Sequence, residues 1–360
     1  MRLNANRAKL PMKRMLLRLT ALAMVLCLLP LGALAENEGD DWVTFFLLCN
    51  EGMTNTGGNS GNTMMVVGMN PNSGKIRLLV FMWDTFVDYE GYDVPQRIGM
   101  PYRNNGPEET LEVFNTNFGM DIDLFMSLNY LNLASLIDTF GGVEVDVSRA
   151  ERNALNGMVG SKEERLKAQA DSGLLSQAVV EMLANEYYLN EYGPDTHLNG
   201  LQAVGFGWLQ YDSVYNCCLR ELEVIADLFS SVGDSIAEKV VLYSNEYDLP
   251  EDIGSRRPIN LDEMTEEDID FLRELVSPIF EKSYNNLSDE DIVGISTTLM
   301  KAAYDASRQG YDIFSAVDRT ILPMEAMNEY DIVAGTKGHL VDAEANGEAM
   351  RAFLFAEDEG

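Results

Sequence analysis

The amino-acid sequence predicts an α/β fold, a layered α-β-α domain with a mixed central sheet flanked by helices. Short apolar runs rich in β-forming residues alternate with helical segments, which is the pattern of such layers. Two of the runs are joined by a turn, residues 70–74 (NPNSG), which favours a β-hairpin. The chain has 360 residues and is 46% hydrophobic, so it can bury a sizeable core.

The predicted strands are short apolar stretches bounded by turn residues. The second and third are the two arms of the hairpin. The last one differs from the others because apolar and acidic residues alternate along it. We expect all of them in one sheet, and they comprise residues 43–48, 63–69, 76–82, 124–128 and 143–147.

The predicted helices carry start and stop signals. Pro107 opens one helix with two acidic residues in its first turn, where the helix dipole favours negative charge, and Gly119 is a plausible end. A second helix, residues 131–140, is closed by two glycines. Further helical patterns cover residues 162–192, 201–210, 219–230 and 342–355, and sequences resembling capping boxes begin at Thr265 and Ser288.

The first 35 residues have the composition of a secretory signal peptide. Six basic residues precede an apolar run, residues 19–31, and Ala33-Leu34-Ala35 fits a cleavage site. The alternative is an uncleaved membrane anchor, although the run is shorter than the ~20 residues of a bilayer span. Residues 36–360 are predicted to form a single domain, with a helical insertion at about 149–196 and a helical C-terminal part from about 258.

The charge of the chain excludes several classes of partner. The net charge is -32, and removing residues 1–35 takes away six positive charges and makes it -38. Such a surface repels phosphate backbones, so no nucleic-acid partner is expected. Anionic membranes are disfavoured too, so membrane contact is expected only through an uncleaved N-terminal segment. The signal peptide predicts export, to the extracytoplasmic face of the cell envelope or beyond it.

Cysteine and histidine give little support for catalysis or zinc binding. Cys49, Cys217 and Cys218 remain after cleavage, and an odd number leaves at least one thiol free or paired with another chain. No cysteine spacing resembles a zinc site. The only two histidines, His197 and His339, lie far apart in the sequence, so histidine-based catalysis is weakly supported.

Several motifs in order resemble one protein family. GNTMMVVGMNPNSGKIRLLVFMWDTFV is close to the family's SDTMMVV, a hairpin and then SIPRDTYV. FGMDIDLFMSLNYLNLASLIDTFGGVEVDV is the most specific stretch, and HLNGLQAVGFGWLQYDS resembles LNG-x-QAL followed by two arginines. On these motifs the chain is identified as a member of the LytR-CpsA-Psr family of cell-envelope proteins, over residues 43–148 and 197–356.

The resemblance implies chemistry on a lipid carrier. Family members transfer a glycopolymer from a polyprenyl-pyrophosphate carrier to peptidoglycan. They hold the pyrophosphate with arginines and a divalent metal, which suits bidentate guanidinium groups and magnesium with carboxylates. A polyprenyl-phosphate lipid or a cell-wall glycan is therefore the expected partner. Mg²⁺ is a possible cofactor, and we expect it to be weakly bound or absent. The candidates for an apolar lipid pocket are Met64, Met65, Phe125 and Met126.

This sequence departs from the family at most of its arginines. The arginine before Asp-Thr is Trp83, the two after QAL are Trp208 and Gln210, and the next is Cys217. The aspartate of the SDT motif is Asn62. Without these arginines, most of the side chains that would stabilise the negative charge of the phosphate oxygens are missing. The resemblance therefore predicts a protein with impaired catalysis, which shows little pyrophosphate hydrolysis or glycan transfer.

The site residues carried over by resemblance fall into three groups. The catalytic candidates are Asp84, Arg97 and Arg220. The metal candidates are Glu51 and Asp84. The ligand-binding candidates are Glu51, Asn62, Trp83, Thr85, Arg103, Trp208 and Gln210. Each also has a structural interpretation: Asp84 can cap the turn after its strand, the arginines can be ordinary ion-pair partners, and the tryptophans can be core residues.

Three functions remain open at this point. One is an active transferase of the family type, one is a relative that binds a polyprenyl-linked or wall glycan without turnover, and one is an exported scaffold for protein contacts. The resemblance also suggests a disulfide from Cys49 to Cys217 or Cys218, since both regions border the same site in the family. The alternative is three buried thiols that pack like small apolar side chains.

Overall fold

A mixed sheet lies at the centre of the fold and is covered on both faces. The computed structural model describes residues 42–50, 54–57, 61–171, 186–246, 266–309, 317–323 and 328–355. The strands are β1 (Val43–Asn50), β2 (Gly61–Met69), β3 (Ile76–Phe81), β4 (Phe86–Val87), β5 (Gln96–Arg97), β6 (Leu124–Asn129), β7 (Val143–Val147), β8 (Gly193–Leu198), β9 (Tyr284–Asn285), β10 (Val317–Leu322), β11 (Asn328–Val333) and β12 (Thr336–Val341).

The helices lie between these strands along the chain. They are α1 (Gly99–Asn105), α2 (Pro107–Phe118), α3 (Tyr130–Thr139), α4 (Arg149–Asp171), α5 (Gly200–Gly207), α6 (Val214–Glu246), α7 (Glu266–Glu281), α8 (Asp289–Gln309) and α9 (Ala343–Leu354).

The central sheet has the strand order β10-β3-β2-β1-β6-β9 in the described residues. β2 pairs with β1 and with β3 in antiparallel fashion, so the predicted hairpin is confirmed. β1 pairs in parallel with β6, and β3 with β10, which makes the sheet mixed as expected. The predicted α/β class is thus confirmed.

The prediction that residues 143–147 join the central sheet is wrong. β7 pairs with β8 in a separate two-stranded sheet. Buried and exposed residues alternate along β7, and its valines pack into the same apolar cluster as α6. A strand with one solvent-exposed face is typical of a sheet at the periphery of the fold. The central strands are buried on both faces, and their sequences are continuous apolar runs.

The two faces of the central sheet belong to two apolar clusters. Phe45 and Met65 point to one side and pack with residues of α3, α5, α6, α7 and α8. Phe46 and Met64 point to the other side and pack with residues of α1, α2 and α9. The residues suggested for a lipid pocket, Met64, Met65, Phe125 and Met126, are fully or almost fully buried in these clusters and pack as core.

Local signals fixed most helix boundaries. α2 has Pro107 in its first turn and ends at Gly119, which adopts a left-handed conformation. Ser288 and Asp291 exchange the hydrogen bonds of a capping box before α8, and Asp342 caps α9. The helix expected from residue 162 begins at Arg149 instead, and residues 172–185 and Thr265 lie outside the described ones. The C-terminal part, expected to be helical, also forms β10, β11 and β12.

The hairpin of β11 and β12 is attached to the loop that follows β3. The backbone N–H of His339 donates to the carbonyl of Asp84 at 3.1 Å, and Thr85 and His339 form an isolated parallel bridge. Tyr330 and Ile332 on β11 are more than half exposed. Across the described residues, we find no helix whose length and apolar character would let it cross a bilayer.

Candidate functional site

The site predicted from sequence lies where β3 ends. The chain turns at once, with the Thr85 N–H donating to the Met82 carbonyl at 3.1 Å. Asp84 and Thr85 are buried there, and the Ile98 N–H donates to the Thr85 carbonyl at 2.8 Å. The loop is therefore fixed by backbone hydrogen bonds from both β12 and the segment after β5, which positions its side chains.

A cavity of about 490 Å³ opens beside this loop. It brings together four of the predicted residues: Trp83, Asp84, Arg97 and Gln210. The other lining residues come from the start of α6 and from the β11–β12 hairpin: Asp212, Ser213, Val214, Tyr215, Tyr330 and His339. Elements far apart in the sequence thus form one concave surface, the site cavity.

Arg97 is held against the cavity wall by two contacts. Its guanidinium carbon lies 5.0 Å from the centre of the Trp83 ring, a cation–π arrangement. Its Nε donates to the Lys337 carbonyl at 3.0 Å, and one terminal nitrogen donates to the same oxygen. Trp83, which stands at the position of a family arginine, therefore packs against Arg97.

Asp84 places a buried carboxylate at the back of the site cavity. Its Oδ1 lies 3.9 Å from the His339 Nε2, too far for a hydrogen bond, and no other described atom bonds to it. Burial raises the pKa of Asp84 above its ordinary value, while His339 and Arg97 act in the opposite direction. The carboxylate is thus left with an unused acceptor.

Arg220 is placed outside the site cavity, in an ion-pair cluster. It is 3% exposed and donates to both Asp212 oxygens, at 2.9 and 3.1 Å, to Glu151 at 3.3 Å and to the Leu209 carbonyl. The hydrogen bonds from Arg220 lower the pKa of Asp212 to about 2. This geometry fits a structural role, and the phosphate-binding role predicted for Arg220 stays a prediction.

Other family arginine positions are filled by inward-facing side chains. Trp208 ends α5, and its indole Nε1 donates to the Thr63 hydroxyl on β2 at 2.8 Å. Cys217 is buried, and its thiol lies 3.2 Å from the Gly207 carbonyl. The disulfide hypothesis is wrong for this structure, because Cys49, Cys217 and Cys218 are free, buried thiols. Burial raises the pKa of each of the three.

Glu221 is a buried acid that the sequence did not single out. It is 3% exposed, and neither carboxylate oxygen makes a well-formed hydrogen bond to a described residue. The nearby Thr63 hydroxyl and Arg220 favour its charged form, but burial dominates and raises its pKa well above the ordinary 4.5. Burial therefore favours the neutral form of Glu221 in the folded protein.

Replacing Glu221 with glutamine is expected to flatten the dependence of stability on pH. A raised pKa in the folded state contributes stability that is complete below the ordinary pKa and is lost as the pH rises toward the raised value. Glutamine has the same shape and does not titrate. The melting temperature of the wild type should therefore fall relative to that of Glu221→Gln as the pH rises above the ordinary value of 4.5.

Circular dichroism melts across that pH range measure the difference. Glu112→Gln, on the exposed part of α2, is the matched control and should follow the wild type. Parallel profiles for the wild type and Glu221→Gln would contradict the buried neutral acid.

Two further predicted residues are described, Arg103 and Thr85, and neither lines the site cavity. Arg103 is exposed on α1, and Thr85 is buried behind the cavity wall with its hydroxyl unpaired among the described residues. Glu51 lies outside the described residues, and only the backbone of Asn62 is described.

The described residues do not fit a magnesium site. In the part of the chain that the structure describes, no three acidic, histidine or cysteine side chains are grouped so that they could hold a metal. Magnesium prefers oxygen ligands in octahedral geometry. Among the described residues that line the site cavity, the second carboxylate is that of Asp212, and Arg220 already donates to both of its oxygens.

Sequence reasoning missed six residues of the cavity, and three of them have ring side chains. His339, Tyr215 and Tyr330 line it, and the two tyrosines are 52% and 57% exposed. In the sequence, His339 is one of two histidines that lie far apart. Exposed aromatic side chains in so acidic a chain were the available signal, but nothing in the sequence places them together.

Comparison with known proteins confirms the resemblance. The family model LytR_cpsA_psr matches residues 31–214, which is more than half of the chain. The chain belongs to the LytR-CpsA-Psr family. At the level of the family, this relates it to the transfer of glycopolymers to peptidoglycan.

Individual relatives are distant. A polyisoprenyl-teichoic acid–peptidoglycan teichoic acid transferase, TagU of Halalkalibacterium halodurans, is 28% identical over 89 residues, which is 25% of this chain and 29% of that protein's length. The crystal structure of TagV from B. subtilis superposes with a TM-score of 0.55 at 13% identity, over 87% of this chain and 97% of that one. A structure of TagT bound to LIIa-WTA gives 0.54 at 12% identity, over 89% and 94%. Likeness at this identity establishes the shared fold.

Proposed function

We propose that this LytR-CpsA-Psr protein binds a cell-envelope glycan, free or linked to a polyprenyl carrier, and does not transfer it. It would act on the extracytoplasmic side of the envelope, where its predicted signal peptide directs it. The TagU relative and the TagT structure, whose names concern teichoic acid, support a lipid-linked or wall glycan as the ligand class.

The main support for the proposal is what the side chains at the family's arginine positions contact in this protein. Trp208 and Cys217 pack inward, and Arg220 is bound by Asp212 and Glu151. Phosphoryl transfer depends on preorganised charge around the phosphate oxygens. With Arg97 as the cation left at the site cavity among the described residues, that preorganisation is weak, and ligand binding is the function that the geometry supports best.

The rim of the site cavity supports glycan binding. Tyr215 and Tyr330 are more than half exposed and line it, together with the polar side chains of Asp84, Arg97 and Gln210. Cavities with aromatic walls and a few placed polar groups are the usual form of ligand sites. Tyrosine offers a flat apolar face and a polar tip, which suits a sugar ring.

Replacing Tyr215 with alanine is expected to weaken glycan binding about tenfold, since it removes one aromatic wall of the cavity. Binding of solubilised wall glycan and of a polyprenyl-pyrophosphate-linked glycan can be measured by isothermal titration calorimetry. Tyr284→Ala is the control, because Tyr284 is also exposed but lies on β9, at the opposite edge of the sheet from β10.

Turnover is measured in the same preparations. Incubation with lipid-linked glycan, peptidoglycan and magnesium should attach little or no polymer. Transfer at the rate of a family member with all its arginines would overturn the proposal, as would the absence of binding to both ligands.

A further inference from the structure

Two polar atoms at the site cavity are buried and unpaired. The Trp83 Nε1 is a donor without an acceptor, and the Asp84 Oδ1 is an acceptor without a donor, within the part of the chain that the structure describes. Asp84 is 1% exposed, and both residues line the cavity. Buried polar groups nearly always have partners, so an unpaired donor and an unpaired acceptor on consecutive residues indicate that something else pairs with them.

This pair selects one kind of ligand group. A phosphate oxygen only accepts hydrogen bonds, and the Asp84 carboxylate would repel it. A sugar hydroxyl both donates and accepts, so the hydroxyls of a sugar ring offer a donor for Asp84 and an acceptor for Trp83. Gln210, which also lines the cavity, adds a further donor and acceptor of the same kind.

The surrounding charges oppose an anionic ligand as well. Arg97 donates to the Lys337 carbonyl and lies over Trp83, so part of its capacity is used. Next to the site cavity, a second cavity of about 620 Å³ is lined by four carboxylates, Asp146, Glu151, Asp212 and Glu223, and by Arg220. A phosphodiester-rich polymer approaching this region meets a negative field, whereas a neutral glycan does not.

A larger cavity adjoins the site cavity. A cavity of about 790 Å³ shares Tyr215 and His339 with it. The rest of its wall is mostly apolar and carries one charged residue of each sign, Glu223 and Arg319. Each cavity falls in the size range that holds a drug-sized ligand. Tyr215 and His339 therefore stand at the boundary between two cavities, each of which has the volume of a ligand site.

We propose that the position of the lost phosphate site is now a subsite for a neutral sugar ring, and that the glycan chain continues across Tyr215 into the larger cavity. The ring's hydroxyls bind the Asp84 carboxylate and the Trp83 indole, after the His339 imidazole turns away from Asp84. This deepens the proposed function and rests on it. The neutral sugars can come from a wall glycan or from a lipid-linked precursor.

Two substitutions at the subsite test the proposal. The probes are the dimer, tetramer and hexamer of β-1,4-linked N-acetylglucosamine, free and linked to a short polyprenyl pyrophosphate, together with inorganic pyrophosphate. Affinity should rise from the dimer to the tetramer, and Trp83→Phe, which keeps an aromatic ring but loses the N–H, should weaken the tetramer about tenfold. Asp84→Asn should weaken the neutral oligomers and strengthen pyrophosphate binding, because it removes a negative charge.

The outcomes separate this inference from the function on which it rests. If the lipid-linked probe and pyrophosphate bind, and the free oligomers do not, the sugar subsite is wrong while glycan binding through the lipid remains. If no probe binds, both are wrong. If Asp84→Asn does not fold, Trp83→Phe still decides, because unchanged tetramer affinity in that variant overturns the subsite.

Discussion

Replacing Gly200 with alanine is expected to destabilise the protein strongly. A Cβ at this position would lie 1.9 Å from the Ala134 carbonyl oxygen and 2.5 Å from its carbonyl carbon. These are backbone atoms of α3, so no side-chain rotation relieves the overlap, and α3 and α5 must move apart. We expect a loss of about 3 kcal/mol or more, out of the ~5–15 kcal/mol typical of a native protein.

Urea denaturation followed by circular dichroism measures this loss. Gly157→Ala is the control, because Gly157 lies within α4 and a Cβ there would meet no atom of another element within 4 Å. An alanine at this position should be neutral or stabilise the helix by up to about 1 kcal/mol. Equal stability of Gly200→Ala and the wild type would contradict the close contact of α3 and α5.

The same contact explains a motif that resembles the family's. Gly200 is the glycine of HLNGLQAV, and its backbone N–H donates to the Asp138 carboxylate at 2.7 Å. Asn199 and Gln202 form a capping box at the start of α5. The motif therefore serves the packing and capping of a helix in this chain, and that role follows from its local geometry.

Replacing Arg220 with methionine is expected to destabilise the fold by about 3 kcal/mol, the lower end of the range for breaking a buried ion pair. The lower end applies because the Asp212 and Glu151 side chains are 25% and 17% exposed, so water partly compensates them. The substitution also removes the donor to the Leu209 carbonyl. Glycan affinity of the folded fraction should change little, since Arg220 does not line the site cavity.

Two further variants make the interpretation specific. Adding Asp212→Asn to Arg220→Met should restore part of the lost stability, because it removes the Asp212 carboxylate that no longer has an arginine partner. Arg103→Met, at an exposed position on α1, should lie within about 0.5 kcal/mol of the wild type. Unchanged stability of Arg220→Met together with loss of ligand binding would instead support the phosphate-binding role that the family resemblance predicts.

The sequence determined those features that depend on neighbouring residues. The hairpin of residues 63–82 follows from two apolar runs around NPNSG, and the ends of α2 follow from Pro107 and Gly119. Caps and turns are made by groups a few residues apart, so their signals are local. The family, too, could be recognised from the order of its motifs.

Only the tertiary structure decided which partners distant residues find. β7 has the alternation of a strand, but its pairing with β8 depends on a segment without strand signals, Gly193–Leu198. The sequence does not distinguish the roles of Arg220 and Arg97. In the structure, Arg220 forms ion pairs with Asp212 and Glu151, whereas Arg97 makes a cation–π contact with Trp83.

The candidate site shows the same division. Asp84 could be predicted from the motif at the end of β3, whereas His339 and Tyr215 reach it from other parts of the chain. Side-chain direction and burial are set by packing across the whole domain, and no local pattern encodes them. The residue types present at the old phosphate site were thus readable from the sequence. The packing of distant elements decided three further features. These are the inward packing of Trp208 and Cys217, the ion pairs of Arg220 and the unpaired acceptor of Asp84.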